Sequence, residues 1–277
     1  MIIKMLRKFL LITLICLPVI ADCQDIFANF RHQSPSFFAI NAGCSFAGGR
    51  YGQKSIYSNY DNPYEINVPK LPLTGNSAYN VLGFATPGIS VNANGAWYFM
   101  KFLGIGMRAA INQNFLSCNS LEKEYTSAYG DGYNFDFKTT DFYYFAFINP
   151  ALFVSLPINK SLFVSLEAGF GPYYTHFPTY RCTYICDNAV ITETTKTDDN
   201  WDFSFYFAMG LKYRTQGRVG LNLDLAYGEV YSEYKLNTDY NPGNTVETVA
   251  PLFYNNLSLS LGIIFYFGKI ENFDLED

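Results

Sequence analysis

The sequence predicts an all-β fold, an eight-stranded antiparallel up-and-down β-barrel. Of its 277 residues, 49% are hydrophobic and 18% aromatic, yet the mean hydropathy is only +0.01, so apolar and polar residues must be closely interleaved. The 23 Tyr and 26 Phe are residue types that β-sheets favour. From Phe37 onward, apolar residues recur at every second position, which is the pattern of strands with two different faces. This composition excludes a disordered chain.

The first 23 residues predict a secretory signal peptide. The apolar stretch over residues 9–20 is shorter than the roughly 20 residues that a spanning helix needs. Small or polar residues follow it, so cleavage is expected after Ala21 or Cys23. Residues 24–36 are then predicted to form an N-terminal periplasmic segment. Three basic residues precede the apolar stretch: Lys4, Arg7 and Lys8.

Eight segments alternate with period two. In the last one, Ser258, Ser260 and Gly262 separate apolar residues at the odd positions. Three connections are short, and the requirement that paired residues share a face predicts three-residue turns there. Pro150 lies inside its segment and predicts a bulge or bend. The segments are about 37–47, 83–98, 102–115, 140–157, 161–175, 201–214, 218–232 and 254–268.

Three features predict that the barrel crosses a membrane. The polar face carries charges and amides that a dry core could not hold without partners. Four long connections alternate with the three short ones, as extracellular loops alternate with periplasmic turns. Aromatic residues also gather at strand ends, where interfacial girdles are expected. Residues 37–268 are therefore predicted to form the barrel domain, as a monomer, and 269–277 a short C-terminal tail.

On these features, the chain resembles the small outer-membrane barrels of Gram-negative bacteria, the protein A-like and protein X-like group. The resemblance covers about residues 35–268 and rests on the signal peptide, the eight strands and the asymmetry of turns and loops. It implies a location in the outer membrane, in contact with its lipid. The chain departs from the common pattern at its end, because ten residues follow the aromatic run 265–267.

Three charged residues are predicted to meet inside the barrel. Arg108, Glu167 and Asp224 each lie six residues beyond the start of an ascending strand, on its polar face. They should therefore share a height of about 15 Å above the periplasmic turns. Such a polar network would plug the lumen, and the alternative is a gated path for protons or ions.

The long loops suggest a function at the cell surface. Their tyrosines combine a rigid apolar ring with a polar tip, which suits binding of an extracellular glycan or protein. The alternative is that the loops only pack on one another. We therefore expect a structural or surface-binding, adhesive role, with a small gated channel as the second interpretation and an outer-membrane lipid-modifying enzyme as the third. The tyrosines are Tyr51, Tyr57, Tyr60, Tyr64, Tyr125, Tyr129, Tyr133, Tyr180, Tyr184, Tyr234 and Tyr240.

Other chemistry has little support in the sequence. Removing the signal peptide leaves 16 basic and 23 acidic residues, a net charge of −7, which argues against nucleic acid as a partner. His176 has no serine at a suitable spacing, so no catalytic residues are predicted and the chain is not expected to be an enzyme. Cys182 and Cys186 are a candidate disulfide, and as a zinc site they lack further ligands. No cofactor and no metal site are predicted.

Overall fold

The computed structural model describes residues 34–49, 52, 83–129, 134–159, 161–186, 189–215, 217–240 and 244–267. The predicted signal peptide, most of the N-terminal segment and the C-terminal tail lie outside these residues. Among the residues described, no α-helix is both long and apolar enough to cross a bilayer.

Eight strands form a closed antiparallel barrel. Consecutive barrel strands pair with each other, and the last strand pairs with the first through Ser36↔Phe267 to Gly49↔Tyr254, which closes the sheet. The prediction of an eight-stranded barrel is confirmed. The barrel strands are β1 (Ser36–Gly49), β2 (Ala85–Tyr98), β3 (Leu103–Leu116), β5 (Tyr143–Pro157), β6 (Leu162–His176), β9 (Asn200–Arg214), β10 (Val219–Tyr240) and β11 (Asn244–Phe267).

The two faces of the barrel wall differ as the alternating pattern predicts. Large apolar side chains point outward, and Leu223 and Ile263 remain 44% and 49% exposed. The inward face carries buried serines and asparagines, of which Asn41 is 1% and Asn222 0% exposed. An apolar exterior around a polar interior is stable when lipid surrounds the barrel. Outward-facing Trp97 lies next to a short turn and outward-facing Trp201 next to a long connection.

The three short turns are longer than predicted. The first joins Tyr98↔Gly104, so five residues lie between the last paired residues instead of three, and the other two turns have the same length. Each connection still contains an odd number of residues, as predicted, so every side chain stays on the predicted face of the sheet. Side chains stabilise the longer turns: the Asn159 Oδ1 atom accepts hydrogen bonds from the backbone N–H groups of Ser161 and Leu162.

The bulge occurs at a different proline from the one predicted. The register between β2 and β3 shifts between Thr86 and Ile89, around Pro87 and Gly88. A side chain at Gly88 would collide with the backbone of Gln113, so glycine permits this close approach.

No register shift occurs at Pro150. Phe147 pairs with Tyr173 before it and Ala151 with Gly169 after it, in one register. No extra residue enters the strand, so the prediction of a bulge is wrong, but the ladder with β6 is interrupted over residues 148–150, which agrees with the alternative of a local irregularity at Pro150.

The long connections contain further regular structure on the extracellular side. The second holds helix α1 (Cys118–Tyr129) and strand β4 (Asp136–Thr139), and the third is a hairpin of β7 (Tyr180–Cys186) and β8 (Ala189–Thr197). In place of a fourth loop, β10 and β11 continue beyond the barrel, and β8 pairs with the extended part of β10. We call α1, β4, β7 and β8 the extracellular cap.

Candidate functional site in the lumen and the extracellular cap

The three predicted lumen charges are in contact at the centre of the barrel. The Arg108 guanidinium donates to both carboxylates, with Nη2 2.7 Å from Glu167 Oε2 and Nη1 2.8 Å from Asp224 Oδ2. Second bonds of 3.1 and 2.8 Å make each ion pair bidentate. All three residues are at most 3% exposed. We call these residues the charge cluster, and it joins three alternate strands of the wall.

Neutral polar groups surround the charge cluster. Asn94 donates to Glu167 at 3.2 Å, and the Tyr206 hydroxyl donates to the same carboxylate. A second network of amides crosses the lumen, in which Asn222 donates to Asn41 and Asn41 donates to Asn92, both at 2.7 Å. These bonds satisfy buried polar atoms that would otherwise destabilise the barrel.

Aromatic side chains fill the periplasmic half of the lumen. Phe37, Tyr98, Phe153 and Tyr266 are each at most 3% exposed and belong to one apolar cluster. The Lys212 amino group lies 3.6 Å from the centre of the Phe37 ring and makes no hydrogen bond. Sequence reasoning did not single out this lysine, although its position between two outward-facing apolar residues signals an inward side chain.

Above the charge cluster lies a small cavity of about 20 Å³, bordered by Arg108, Asn112, Tyr206 and Asn256. This volume holds roughly one water molecule. The four side chains that border this cavity are each at most 5% exposed.

The cap has an apolar core of its own, which continues into the extracellular mouth of the barrel. Leu121 of α1 is 0% and Phe177 1% exposed. Three of the predicted loop tyrosines belong to this core: Tyr125, Tyr180 and Tyr184 are 3%, 7% and 2% exposed.

For these three tyrosines the alternative prediction holds: they pack inside the cap and do not face outward for binding. Their rings pack against Phe135 and Phe137, with centroids 5.0 to 6.1 Å apart. Burial in the cap removes the large apolar area of these rings from water, which stabilises the cap. The side chains of the other eight tyrosines lie outside the described residues.

His176, at the extracellular end of β6, lies between two carboxylates. Its Nδ1 atom is 2.6 Å from Asp199 Oδ1, and its Nε2 atom is 2.9 Å from Asp141 Oδ2. Burial alone would lower the pKa of His176, but its hydrogen bonds with Asp199 and Asp141 outweigh burial and raise it. A hydrogen bond from Tyr174 and the contact with His176 lower the pKa of Asp199.

Both nitrogen atoms of the His176 ring are therefore occupied by carboxylates, and neither contacts a nucleophile. Within the described parts of the chain, no group of three or more His, Cys, Asp or Glu is arranged to hold a metal ion.

Glu193 of β8 is a second titratable group in the cap, and only 6% of it is exposed. Its carboxylate accepts a 2.5 Å hydrogen bond from the Tyr184 hydroxyl. Burial raises the pKa of Glu193 to about 7, although that hydrogen bond opposes the shift. The sequence gives no sign of Glu193 as a buried residue, because the alternating pattern predicts a long loop between residues 175 and 201.

The predicted disulfide is absent from this arrangement. Cys182 is a buried free thiol in the core of the cap. Cys186 belongs to the same strand, and four residues of extended chain span about 13 Å, whereas a disulfide needs Cα atoms within about 7 Å. The close sequence spacing was misleading because the segment is a strand rather than a tight loop.

Three features of the barrel wall are those of a membrane-spanning barrel. Its exterior is apolar, aromatic residues lie at both ends, and the buried charges face the lumen. The chain is an integral β-barrel of the outer membrane.

No protein-family model matches this outer-membrane barrel, and no curated protein sequence matches it. Its structure is similar to solved outer-membrane proteins. Neisserial surface protein A shares 12% identity, with 84% of this chain and 98% of that chain covered and a TM-score of 0.40.

Two further structures show similar values. A major outer membrane protein from Thermus thermophilus has 11% identity, coverage of 85% and 100%, and a TM-score of 0.42. The outer membrane protein AlkL has 12% identity, coverage of 88% and 95%, and a TM-score of 0.43.

Proposed function

We propose that this chain is a closed, monomeric outer-membrane barrel that acts as a rigid anchor and presents its extracellular cap to a glycan or protein outside the cell. The observation that carries the proposal is the filled lumen. The charge cluster blocks its centre, aromatic residues fill its periplasmic half, and the core of the cap closes its mouth. A barrel packed in this way is suited to display rather than to transport.

The tip of the β7–β8 hairpin is the best candidate for the contact surface. Ile185 and Val190 flank the tip and are 55% and 69% exposed, although they lie in the cap and not in the lipid-facing wall. Exposed apolar residues on a rigid hairpin provide contact area at low entropic cost.

Conductance across a planar bilayer tests the closed lumen. The folded chain should give no unit conductance steps, whereas an open porin inserted under the same conditions should give them. Regular steps from the purified chain would contradict a closed barrel. The same preparation should show the heat-dependent gel migration of a folded barrel, which excludes misfolding as the cause of a silent bilayer.

Binding to arrays of glycans and of extracellular proteins tests the display function. The double variant Ile185→Ser and Val190→Ser should lose most of the binding of the parent chain. The matched control is Ile105→Ser, which removes an exposed apolar side chain from the lipid-facing wall. Equal binding by the parent chain and the hairpin variant would exclude the tip as the contact surface.

A small gated channel is the second candidate, and Lys212 favours it. A buried intramembrane ionisable residue without a hydrogen-bonded partner is a feature of ion pathways. If the lumen can open, Arg108→Ala should increase conductance and Lys212→Met should change its ion selectivity. Silence of both variants would remove this candidate.

A further inference from the structure

The extracellular cap contains two titratable groups that the display function does not use. His176 lies at its junction with the barrel, and Glu193 lies in its core. From their positions, we propose that the cap is an acid-tightened switch, rigid at acidic pH and loosened at alkaline pH. The switch concerns regulation of the cap and holds whether or not the proposed partner binding exists.

His176 joins three segments of the chain. Asp141 precedes β5, His176 ends β6, and Asp199 precedes β9, so the imidazole links both ends of the cap to the barrel. Asp141 also accepts from the backbone N–H of Thr179, which leads into β7. Loss of this link would weaken the attachment of the segment that leads into β7.

Only the protonated imidazole can serve both carboxylates. A neutral histidine donates from one nitrogen and presents a lone pair at the other, which here would face a carboxylate oxygen. Among the described residues, the other titratable neighbours are phenols: Tyr174 on the same strand, which donates to Asp199, and Tyr144, which pairs with His176 from β5. Phenols stay neutral over the physiological range, so these two carboxylates dominate the surroundings of His176.

Glu193 responds to pH in the same direction. In the core of the cap its carboxyl group is surrounded by Tyr184 and Cys182 from β7, and it pairs with Tyr240 on the β10 side. The carboxylates of Glu122 in α1 and Asp136 in β4 also lie near the Cys182 thiol. An ionised Glu193 would therefore find no cation among these neighbours.

The pH window follows from the directions of the pKa shifts. The pKa of His176 is higher in the folded chain than in the unfolded chain. Protonated His176 therefore contributes its full stabilisation of the cap below about pH 6.5, and this stabilisation is lost as the pH rises through the pKa of His176 in the folded chain. The raised pKa of Glu193 means that the cap favours its neutral form, so stability falls as the pH rises from about 4.5 to about 7. Both groups weaken the cap on alkalinisation.

Hydrogen exchange followed by mass spectrometry tests the switch on the full folded chain in detergent. After correction for intrinsic exchange rates, the amides of residues 180–197 should lose protection about tenfold or more between pH 5.5 and pH 8.5. The amides of β3 should stay unchanged. A cap with equal protection at both values would overturn the proposal.

Variants of His176 and Glu193 test whether these two residues cause the pH dependence of protection. The double variant His176→Gln and Glu193→Gln should lose the pH dependence, whereas His32→Gln and Asp202→Asn should keep it. A double variant that still loses protection tenfold would contradict the assignment.

If the double variant fails to form the cap, NMR titration of His176 in the parent chain tests the proposal instead. The imidazole signals of the chain's two histidines can be followed by NMR. The His176 signal should titrate above pH 6.5, and Asp199→Asn should lower its midpoint. A parent midpoint at or below 6.5 would also overturn the proposal.

Discussion

The barrel and its cap have opposite burial patterns, although β8 of the cap pairs with the extended part of β10. Inside the membrane, Arg108 is buried at 1% exposure and Leu223 lies outside. In the cap, Leu121 is buried at 0% and the charged Lys138 side chain lies outside at 74%. The inversion occurs where lipid gives way to water. It shows that solvent, rather than strand geometry, decides which face of an alternating strand is apolar.

The largest effect is expected from breaking the charge cluster. Arg108→Met should destabilise the folded barrel by about 3–5 kcal/mol, because it leaves two buried carboxylates without a cation. Urea unfolding in lipid vesicles, monitored by heat-dependent gel migration, measures the change. The matched control replaces all three charges, with Arg108→Met, Glu167→Gln and Asp224→Asn together. This triple variant should recover most of the loss, and if it were as unstable as the single variant, the buried charge would not be the cause.

An apolar deletion tests the cap in the same way. Leu121→Ala should destabilise the cap by about 2–5 kcal/mol through the cavity that it leaves. Hydrogen exchange of α1 should accelerate while the barrel keeps its heat-dependent migration. Ser127→Ala, on the exposed side of the same helix, should change neither property. A loss of barrel stability in Leu121→Ala would mean that the cap and barrel unfold as one unit.

A charge placed on each exterior tests the inversion itself. Leu223→Arg should cost about 2–4 kcal/mol because it places a cation in lipid near the middle of the wall. Val190→Arg, on the exterior of the cap, should cost nothing measurable because that side chain lies in water. Unfolding of both variants in one lipid composition gives the comparison. Similar costs would place the cap in the membrane as well.

The smallest effect is expected at a periplasmic turn. Asn159→Ala removes the acceptor of two backbone hydrogen bonds and should destabilise the barrel by about 0.5–1 kcal/mol. Asn159→Asp keeps the acceptor and should remain near the parent value. The urea midpoint of the folded barrel distinguishes the two variants.

The sequence was sufficient for the barrel because one periodicity determines it. Residues two apart share a face, so the alternation from Leu257 to Phe267 specifies both the strand and its orientation. The charge cluster was predictable for the same reason, since equal distances from the short turns place Arg108, Glu167 and Asp224 at one height. The alternating pattern requires an odd number of residues in each turn but does not determine that number. Turn length also depends on local hydrogen bonds such as those that Asn159 accepts.

The cap could not be predicted in the same way. Its core joins residues from separate connections, and no period links Leu121 to Phe177 or Tyr184. The tyrosines looked like surface residues because their neighbours in sequence are polar. No sequence pattern relates Glu193 to Cys182, and only the pairing of β7 with β8 places them opposite each other.

The extended β10–β11 hairpin gives the molecule a mechanical property. Its ladder runs without interruption from Val219↔Phe265 to Tyr240↔Asn244, so one pair of strands belongs to both the wall and the region above it. A pull on a partner held by the cap would load this ladder along the strands, in shear. Many hydrogen bonds would then resist together, and tension from outside the cell would be transmitted into the membrane-embedded wall.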